Sequence, residues 1–406
     1  MTAATLPTPS GFPPDSLDFD IAIVGAGPAG LCLARALSGH GLSIAVVEKQ
    51  TRAALAAPAF DGREIALTQA SRRSLERLGA WSHIPADAVS PLHGARVLDG
   101  PSSLFALRIG AGAGRELGCL VPNHHIRQAA YAAVQPCADV TLLDGVAVAD
   151  VVRDAQVAQL RLESGTTLRT RLVVCADSRF SVTRRALGIG ARMQDFGRTM
   201  LVCRVEHDQP HQGEAWEWFD YGQTLALLPL RGGHLSSVVL TLPQHAMQQV
   251  LALDDAAFGA DMARRFQHRL GAMRTAGTRH AYPLVAAWAE RFDGPRCALV
   301  GDAAVGMHPV TAHGFNFGLD SVERLARGVL AAHQAGRDVA DPAMLARYTR
   351  EHRLGTLPLY LATNLVAGLY SDERPPARLL RKAALHAAQR VAPFRRAIAA
   401  HLVGAA

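Results

Sequence analysis

Nowhere in this 406-residue sequence is there an uncharged apolar run near the ~20 residues that a membrane-spanning helix needs, so no transmembrane helix is expected. Cysteine is sparse. The six cysteines (Cys32, Cys119, Cys137, Cys175, Cys203 and Cys297) are scattered, with no C-x-x-C pair and no spacing of a disulfide framework. Reduced, mostly buried thiols in a cytosolic protein are therefore expected, and no metal site. The segment from Met1 to Leu17 is rich in Pro, Thr and Ser and lacks the basic start and apolar run of a signal peptide, which reads as a short disordered lead. Internal repeats, low-complexity stretches and Ser-His-Asp order are also missing, as are paired acids that would demand a different chemistry. No nucleic-acid-binding module is recognisable, so nucleic acid is not an expected partner.

What is present is ordinary globular usage, 49% hydrophobic and 19% charged residues. The length exceeds that at which one core usually stops growing, so two intimately packed domains are expected. The formal net charge of +7 and pI of about 9.4 suit nucleic acid, anionic lipid or an anionic cofactor, and charge alone does not choose among them.

Asp20 to Val24 is a short apolar run ending in glycine, Pro28 to Leu37 has helical content, and Ser43 to Glu48 reads as the next buried strand. Together they form a βαβ unit, the start of a Rossmann-type sheet. Helical patterns follow at Ser71–Gly79 and His124–Val134, and strand-like runs at Val146–Val152, Val157–Glu163 and Arg171–Ala176. Between Thr199 and Leu242 apolar strands with turn signals recur, which suggests a separate antiparallel sheet for the substrate. The strand Cys297–Val300 and the helical pattern Phe317–Ala332 return the chain to the first domain. The expected division is a lead at 1–17, a dinucleotide domain from 18–80, 121–190 and 286–345, a substrate domain from 81–120 and 191–285, and C-terminal basic helices at 346–406.

The segment Val24-Gly25-Ala26-Gly27-Pro28-Ala29-Gly30 fits G-x-G-x-x-G between a strand and a helix. The first glycine permits the tight turn, the second lets a pyrophosphate approach, and the third lets helix and strand pack closely. The helix N-terminus offers free N–H groups and partial positive charge to phosphate. Glu48, followed by Lys49, ends the next strand where an acid accepts hydrogen bonds from adenosine ribose hydroxyls, which favours FAD or NAD over NADP at this site. A purely structural glycine turn is the bland alternative, disfavoured by strand, helix and acid together.

Further on, Leu299-Val300-Gly301-Asp302-Ala303-Ala304 runs from a strand into a turn, with Asp302 placed to accept hydrogen bonds from a polyol chain. Pro309, Gly314, Asn316 and Gly318 read as a loop presenting N–H groups to an electron-rich ring. At these residues the chain resembles, over nearly its whole length, the flavin aromatic hydroxylases related to para-hydroxybenzoate hydroxylase, and within them the ubiquinone-biosynthesis hydroxylases. That family carries G-D-A-A-H and P-x-x-G-Q-G-x-N-x-G; here Val305 stands in place of the His, and Ala312-His313 in place of Gly-Gln. A third family signature, D-G-x-x-S-x-x-R, matches Asp177 to Arg184 with Ser178 in the glycine position. Asp177 is carried over as a cofactor contact; Ser181 and Arg184 equally suit a capped helix start. Arg63 in Asp61–Leu67, and Asn123 and Arg127 after Val121-Pro122, match segments that approach the cofactor, with a surface Arg or an N-cap Asn as the alternative.

The resemblance implies a glutathione-reductase-like FAD-binding domain with an inserted antiparallel substrate sheet. It also implies that NADPH or NADH reduces the FAD, that dioxygen adds to give a flavin hydroperoxide, and that oxygen passes to an activated phenol-like ring. A polyprenylated ubiquinone precursor is the implied substrate; a soluble aromatic, a secondary metabolite or a non-catalytic assembly role are the alternatives. His308 and His313 are the candidate catalytic residues, titrating near neutral pH, or else they shape a loop. Trp216, Trp218, Phe219 and Tyr221 line a pocket or pack a strand. From Arg374 to Ala406, seven basic residues and no acid lie amid leucines. This amphipathic pattern suits an anionic bilayer, another pathway protein or a basic cap on the fold, giving a cytoplasmic protein peripheral to the inner membrane.

Overall fold

The computed structural model describes residues 18–100, 102–110, 116–220, 222–308 and 313–371. The expectations for the 1–17 lead, Tyr221, Pro309 and the basic stretch from Arg374 fall outside these residues.

Ile21, Ala22 and Ile23 are wholly buried, the continuous apolar pattern of a strand covered on both faces. Their strand, Phe19–Val24, lies between Ile44–Val47 and Thr167–Cys175, parallel to both. Val140–Leu143 and Cys297–Leu299 extend the same parallel sheet outward. Val148–Arg153 and Ala158–Leu162 branch from Thr167–Cys175 as an antiparallel meander. The helix Pro28–Leu37 packs against both Asn123–Val134 and Gly314–Gln334. The sheet and these helices share the largest apolar core, which includes Leu31, Leu33, Val173, Val322 and Val329.

A second sheet of nine strands is built around the 17-residue strand Ala191–His207. That strand pairs antiparallel with His280–Ala289 and with Leu235–Pro243. Gln223–Pro229 and Glu214–Asp220 follow antiparallel, and Glu214–Asp220 then pairs in parallel with Gly94–Asp99. Alternation sends Trp216, Trp218, Leu225, Leu227, Val238 and Leu240 to one face, where they pack on Phe258, Met262 and Phe266. The opposite face carries a separate cluster, Met200, Val202 and Leu284.

Three features differ from the expectations. Glu64–Thr68, Gly118–Pro122 and Ser90–Leu92 form a small third sheet, because Gly118–Pro122 pairs antiparallel with both neighbours. The loop expected around Gly314, Asn316 and Gly318 is instead the first turns of the helix Gly314–Gln334, because these small and polar residues let it approach the Gly301 turn closely. The C-terminal helix begins at Pro342 rather than near residue 346, since Asp341 accepts the Met344 N–H at 2.9 Å as its cap. Its Leu345, Tyr348 and Tyr360 belong to the main core. All six cysteines are free, and five are buried.

Candidate active site

Gly25 sits at φ +108°, and a Cβ there would lie 2.6 Å from the Ala176 carbonyl oxygen. A Cβ on Gly30 would lie 2.0 Å from the Gly25 carbonyl oxygen, whereas one on Gly27 meets nothing within 4 Å. The outer glycines are therefore required by packing, and the middle one faces open space. Gly27 caps the helix without a side chain, and Pro28 at its first turn has no N–H to leave unsatisfied. Glu48 accepts the Ala26 N–H at 2.7 Å and the Gln50 N–H at 2.8 Å, so one carboxylate ties the loop to the end of the second strand. Arg127 donates to Gln50 at 3.0 Å, which brings the helix Asn123–Val134 to the same place; Lys49 is exposed.

The second motif closes on the first. Gly301 sits at φ +60°, and a Cβ on it would approach that of Ala29 to 3.0 Å. Its N–H donates to Ser321 Oγ at 3.0 Å. Asp302, 35% exposed at its side chain, pairs with Arg179 at 2.9 Å. Buried Arg184 donates to the Ala303 carbonyl at 2.9 Å and the Arg179 carbonyl at 3.2 Å, stapling the third motif to the second. Asp177 accepts the Ser181 hydroxyl and the Thr183 N–H, and Ser181 caps Arg184 N–H at 2.9 Å. These three residues are thus occupied in building a capped turn. Ser178 sits at φ +85°, which is why the family signature has glycine there.

Asp61 gathers the remaining matches. It pairs with Arg63 at 2.6 Å and accepts from Asn123 Nδ2 at 2.7 Å, while its carbonyl accepts the Tyr282 hydroxyl at 2.6 Å. Burial works to raise the Asp61 pKa, but the bonds and charge of Arg63, with Asn123, hold it below the usual carboxylate value. Asn316 bonds the Ala66 carbonyl at 2.9 Å and the Thr68 N–H at 3.1 Å, so its side chain joins the long helix to the strand after Arg63. His308 is buried edge-on to Phe196, 4.7 Å between ring centres, and burial with nearby Arg179 and Arg198 lowers its pKa to about 4. It is neutral at physiological pH, which suits a wall of the site better than a proton store. His313 is buried at the start of the long helix. Trp216 and Trp218 pack behind the second sheet, where Trp218 donates to the Gly100 carbonyl at 2.8 Å and Trp216 lines a cavity with Arg96 and Arg269, on the face away from Met200, Val202 and Leu284.

Sequence reasoning missed the junction between the two sheets. Arg204 pairs with fully buried Glu64 at 2.6 Å and lies over the Phe60 ring, which also meets His124 and His280 edge-on. Burial outweighs Arg204 and raises the Glu64 pKa. These residues come from four separate segments, with no motif to announce them.

The residues present fit a dinucleotide. Gly27 leaves room at an uncapped helix N-terminus, Glu48 keeps acceptor capacity beyond its two backbone bonds, and Asp302 lies beside the cradle. A phosphate cradle on a parallel sheet, with a large mixed sheet joined to it, is a dinucleotide-binding architecture. Residues 18–356 match the FAD binding domain family. The chain is 44% identical over 394 residues to the ubiquinone hydroxylase UbiM of Neisseria meningitidis, covering 96% of this chain and 85% of that one. It is 37% identical to the ubiquinone hydroxylase UbiL of Rhodospirillum rubrum, over 95% of this chain and 89% of that one. The fold matches that of p-nitrophenol 4-monooxygenase PnpA from Pseudomonas putida with a TM-score of 0.75 at 19% identity, covering 95% and 98% of the two chains. The chain belongs to the ubiquinone-hydroxylase family of FAD-dependent monooxygenases.

Proposed function

We propose that this enzyme hydroxylates the aromatic ring of a polyprenylated ubiquinone precursor, a phenol or quinol, using dioxygen and NADPH or NADH. The observation that carries this reading is the apolar sheet face of Met200, Val202 and Leu284, which meets the Asp61–Arg63 segment at Gly62. It is a surface suited to a flat ring with a greasy substituent. Its nearest polar rim is Tyr282 and the Asp61–Arg63 pair.

When bound, FAD supplies the reduction of dioxygen and the oxygen transfer; the protein supplies binding, orientation and exclusion of water. The backbone N–H groups of Gly27, Ala29 and Gly30 and the helix dipole would hold the pyrophosphate, with Gly25 making the tight turn and Pro28 shaping the first turn of the helix. Glu48 would accept from the ribose, with Lys49 and Arg127 flanking it. Asp302 and Gly301 would stand beside the polyol chain and the Asp177 turn near the pyrophosphate, while Gly314 and Asn316 would fix the long helix behind the ring, with Pro309 before it in sequence. Arg63 and Asn123, both held by Asp61, would border the flavin. Neutral His308 closes the site next to Phe196.

The helix Pro342–Ser371 leaves Leu354, Leu357, Leu361 and Leu365 exposed at 68%, 36%, 57% and 72%. Their i, i+3, i+7, i+11 spacing makes one stripe. The sequence beyond it, from Arg374 on, is basic. We read this end of the molecule as a peripheral contact with an anionic bilayer, where a prenylated substrate resides.

The test is to incubate the FAD-loaded protein with NADPH or NADH and a prenylated phenol, alongside mass spectrometry of quinones from cells lacking the protein. A hydroxylated product and an accumulated under-hydroxylated prenylated precursor are expected. Unchanged quinones, with turnover only on soluble phenols, overturn the substrate.

A further inference from the structure

The strand Glu214–Asp220 sends Trp216 and Trp218 into the core beneath the sheet. Alternation therefore directs Glu217, between them, to the opposite face. Sheet register shows what shares that face. Glu217 pairs with Val97 on one side and Ala226 on the other; Ala226 pairs with Val239, Val239 with Val202, and Val202 with His280. One cross-strand row thus runs from Glu217 to His280. At the His280 end it touches the segment carrying Arg63, since a Cβ on Gly62 would lie 2.8 Å from both Val202 and His280. Ala226, Val239 and Val202 form an apolar floor between the two ends, each strand ~4.8 Å from the next.

Glu217 is the one acid in this row. It is half-buried and has no hydrogen-bond or charged partner among the described residues. Burial alone pushes its carboxyl well above the usual carboxylate range. Its carboxyl stays partly open on this face, so an incoming polar group can complete its hydrogen bonding. A protonated carboxyl donates one bond and accepts others, which matches a phenol hydroxyl, a quinone carbonyl or a ring ether oxygen. Ser237, a buried hydroxyl of the same sheet without a partner, stands two strands away and does not serve Glu217.

We propose that Glu217 recognises a ring oxygen of the substrate, fixing the ring on the apolar floor of the sheet. This rests on the reading that the substrate is a phenol or quinol. It makes Glu217 a specificity residue, one whose removal relaxes the choice of ring without disturbing FAD binding.

The test uses the FAD-loaded full chain, equilibrium dialysis and three probes: a geranyl-substituted phenol, the same compound with hydrogen in place of the hydroxyl, and unsubstituted phenol. Wild type is expected to bind the geranyl phenol roughly tenfold more tightly than its deoxy counterpart, the worth of one hydrogen bond. Glu217→Leu is expected to bind the two geranyl probes equally and, without ligand, to melt no lower than wild type; Glu217→Gln keeps most of the preference. A Glu217→Leu protein that retains the preference overturns the proposal. So does one that loses it together with its melting temperature, since that marks a structural role. Tighter binding of unsubstituted phenol than of geranyl phenol overturns the prenylated substrate while leaving the hydroxyl-dependent loss in Glu217→Leu intact. Absence of any hydroxyl preference in wild type overturns both.

Discussion

At the scale of single residues, two side chains sit where their chemistry is unfavourable, and each leads to a measurable consequence. Ser178 holds a left-handed backbone, φ +85°, in the turn that joins Asp177 to Arg179. Such a conformation costs an L residue about 1 kcal/mol relative to glycine. Ser178→Gly is therefore expected to raise the melting temperature slightly, read by calorimetry, with no loss of FAD retention. His308 is the second case. Its pKa falls from 6.5 to about 4 in the folded chain, so the unfolded chain binds a proton there more readily. The stabilising contribution of the neutral ring is complete above pH 6.5 and is lost as pH falls toward 4, by at most about 3 kcal/mol. Urea unfolding from pH 7 to pH 4 should show wild type losing more stability than His308→Phe. His124, His125, His207 and His211 shift in the same direction, and the paired comparison removes their common effect.

At the scale of elements, the two sheets are joined by an ion pair whose acid is fully buried. Glu64 comes from the small third sheet and Arg204 from the central strand of the large one, 2.6 Å apart. Removing one partner of such a pair leaves an uncompensated buried charge. Arg204→Met is expected to destabilise the protein by about 3 kcal/mol, and a Glu64→Leu/Arg204→Met double variant to recover most of it. Equal destabilisation by the single and double variants in denaturant titrations would count against this. The periodic patterns in the sequence were sufficient for the strands and helices themselves: the apolar run at Ile21–Val24 and the helix after Pro28 both stand where the pattern placed them. The segment near Asn316 was not legible, because its glycines suggest a loop until the Gly301 turn is seen to need small neighbours on a helix.

At the scale of the whole molecule, the exposed leucine stripe on the C-terminal helix is the feature to test. Wild type is expected to float with vesicles containing anionic phospholipid, and a Leu361→Glu/Leu365→Glu variant to remain in the dense fraction with its FAD and fold intact. Equal flotation of the two proteins would remove the stripe from any membrane role. Among the described residues no helix is long and apolar enough to cross a membrane, so contact through this stripe would lie at the surface.

The sequence by itself determined the phosphate cradle, because Gly25, Gly27, Gly30 and Glu48 are set by local geometry within one βαβ unit. It also determined that Gly301 and Asp302 end a strand of the same kind. Only the tertiary structure decided which faces the strands present. Trp216 and Trp218 turned out to be core and Glu217 to lie on the opposite face, since side-chain direction in a sheet depends on register with strands far away in sequence. The Arg204–Glu64 pair, the staple from Arg184 to Ala303 and the Asp61 cluster likewise join residues from distant segments. Long-range pairing of this kind leaves no periodic mark on the chain, and packing alone brings it about.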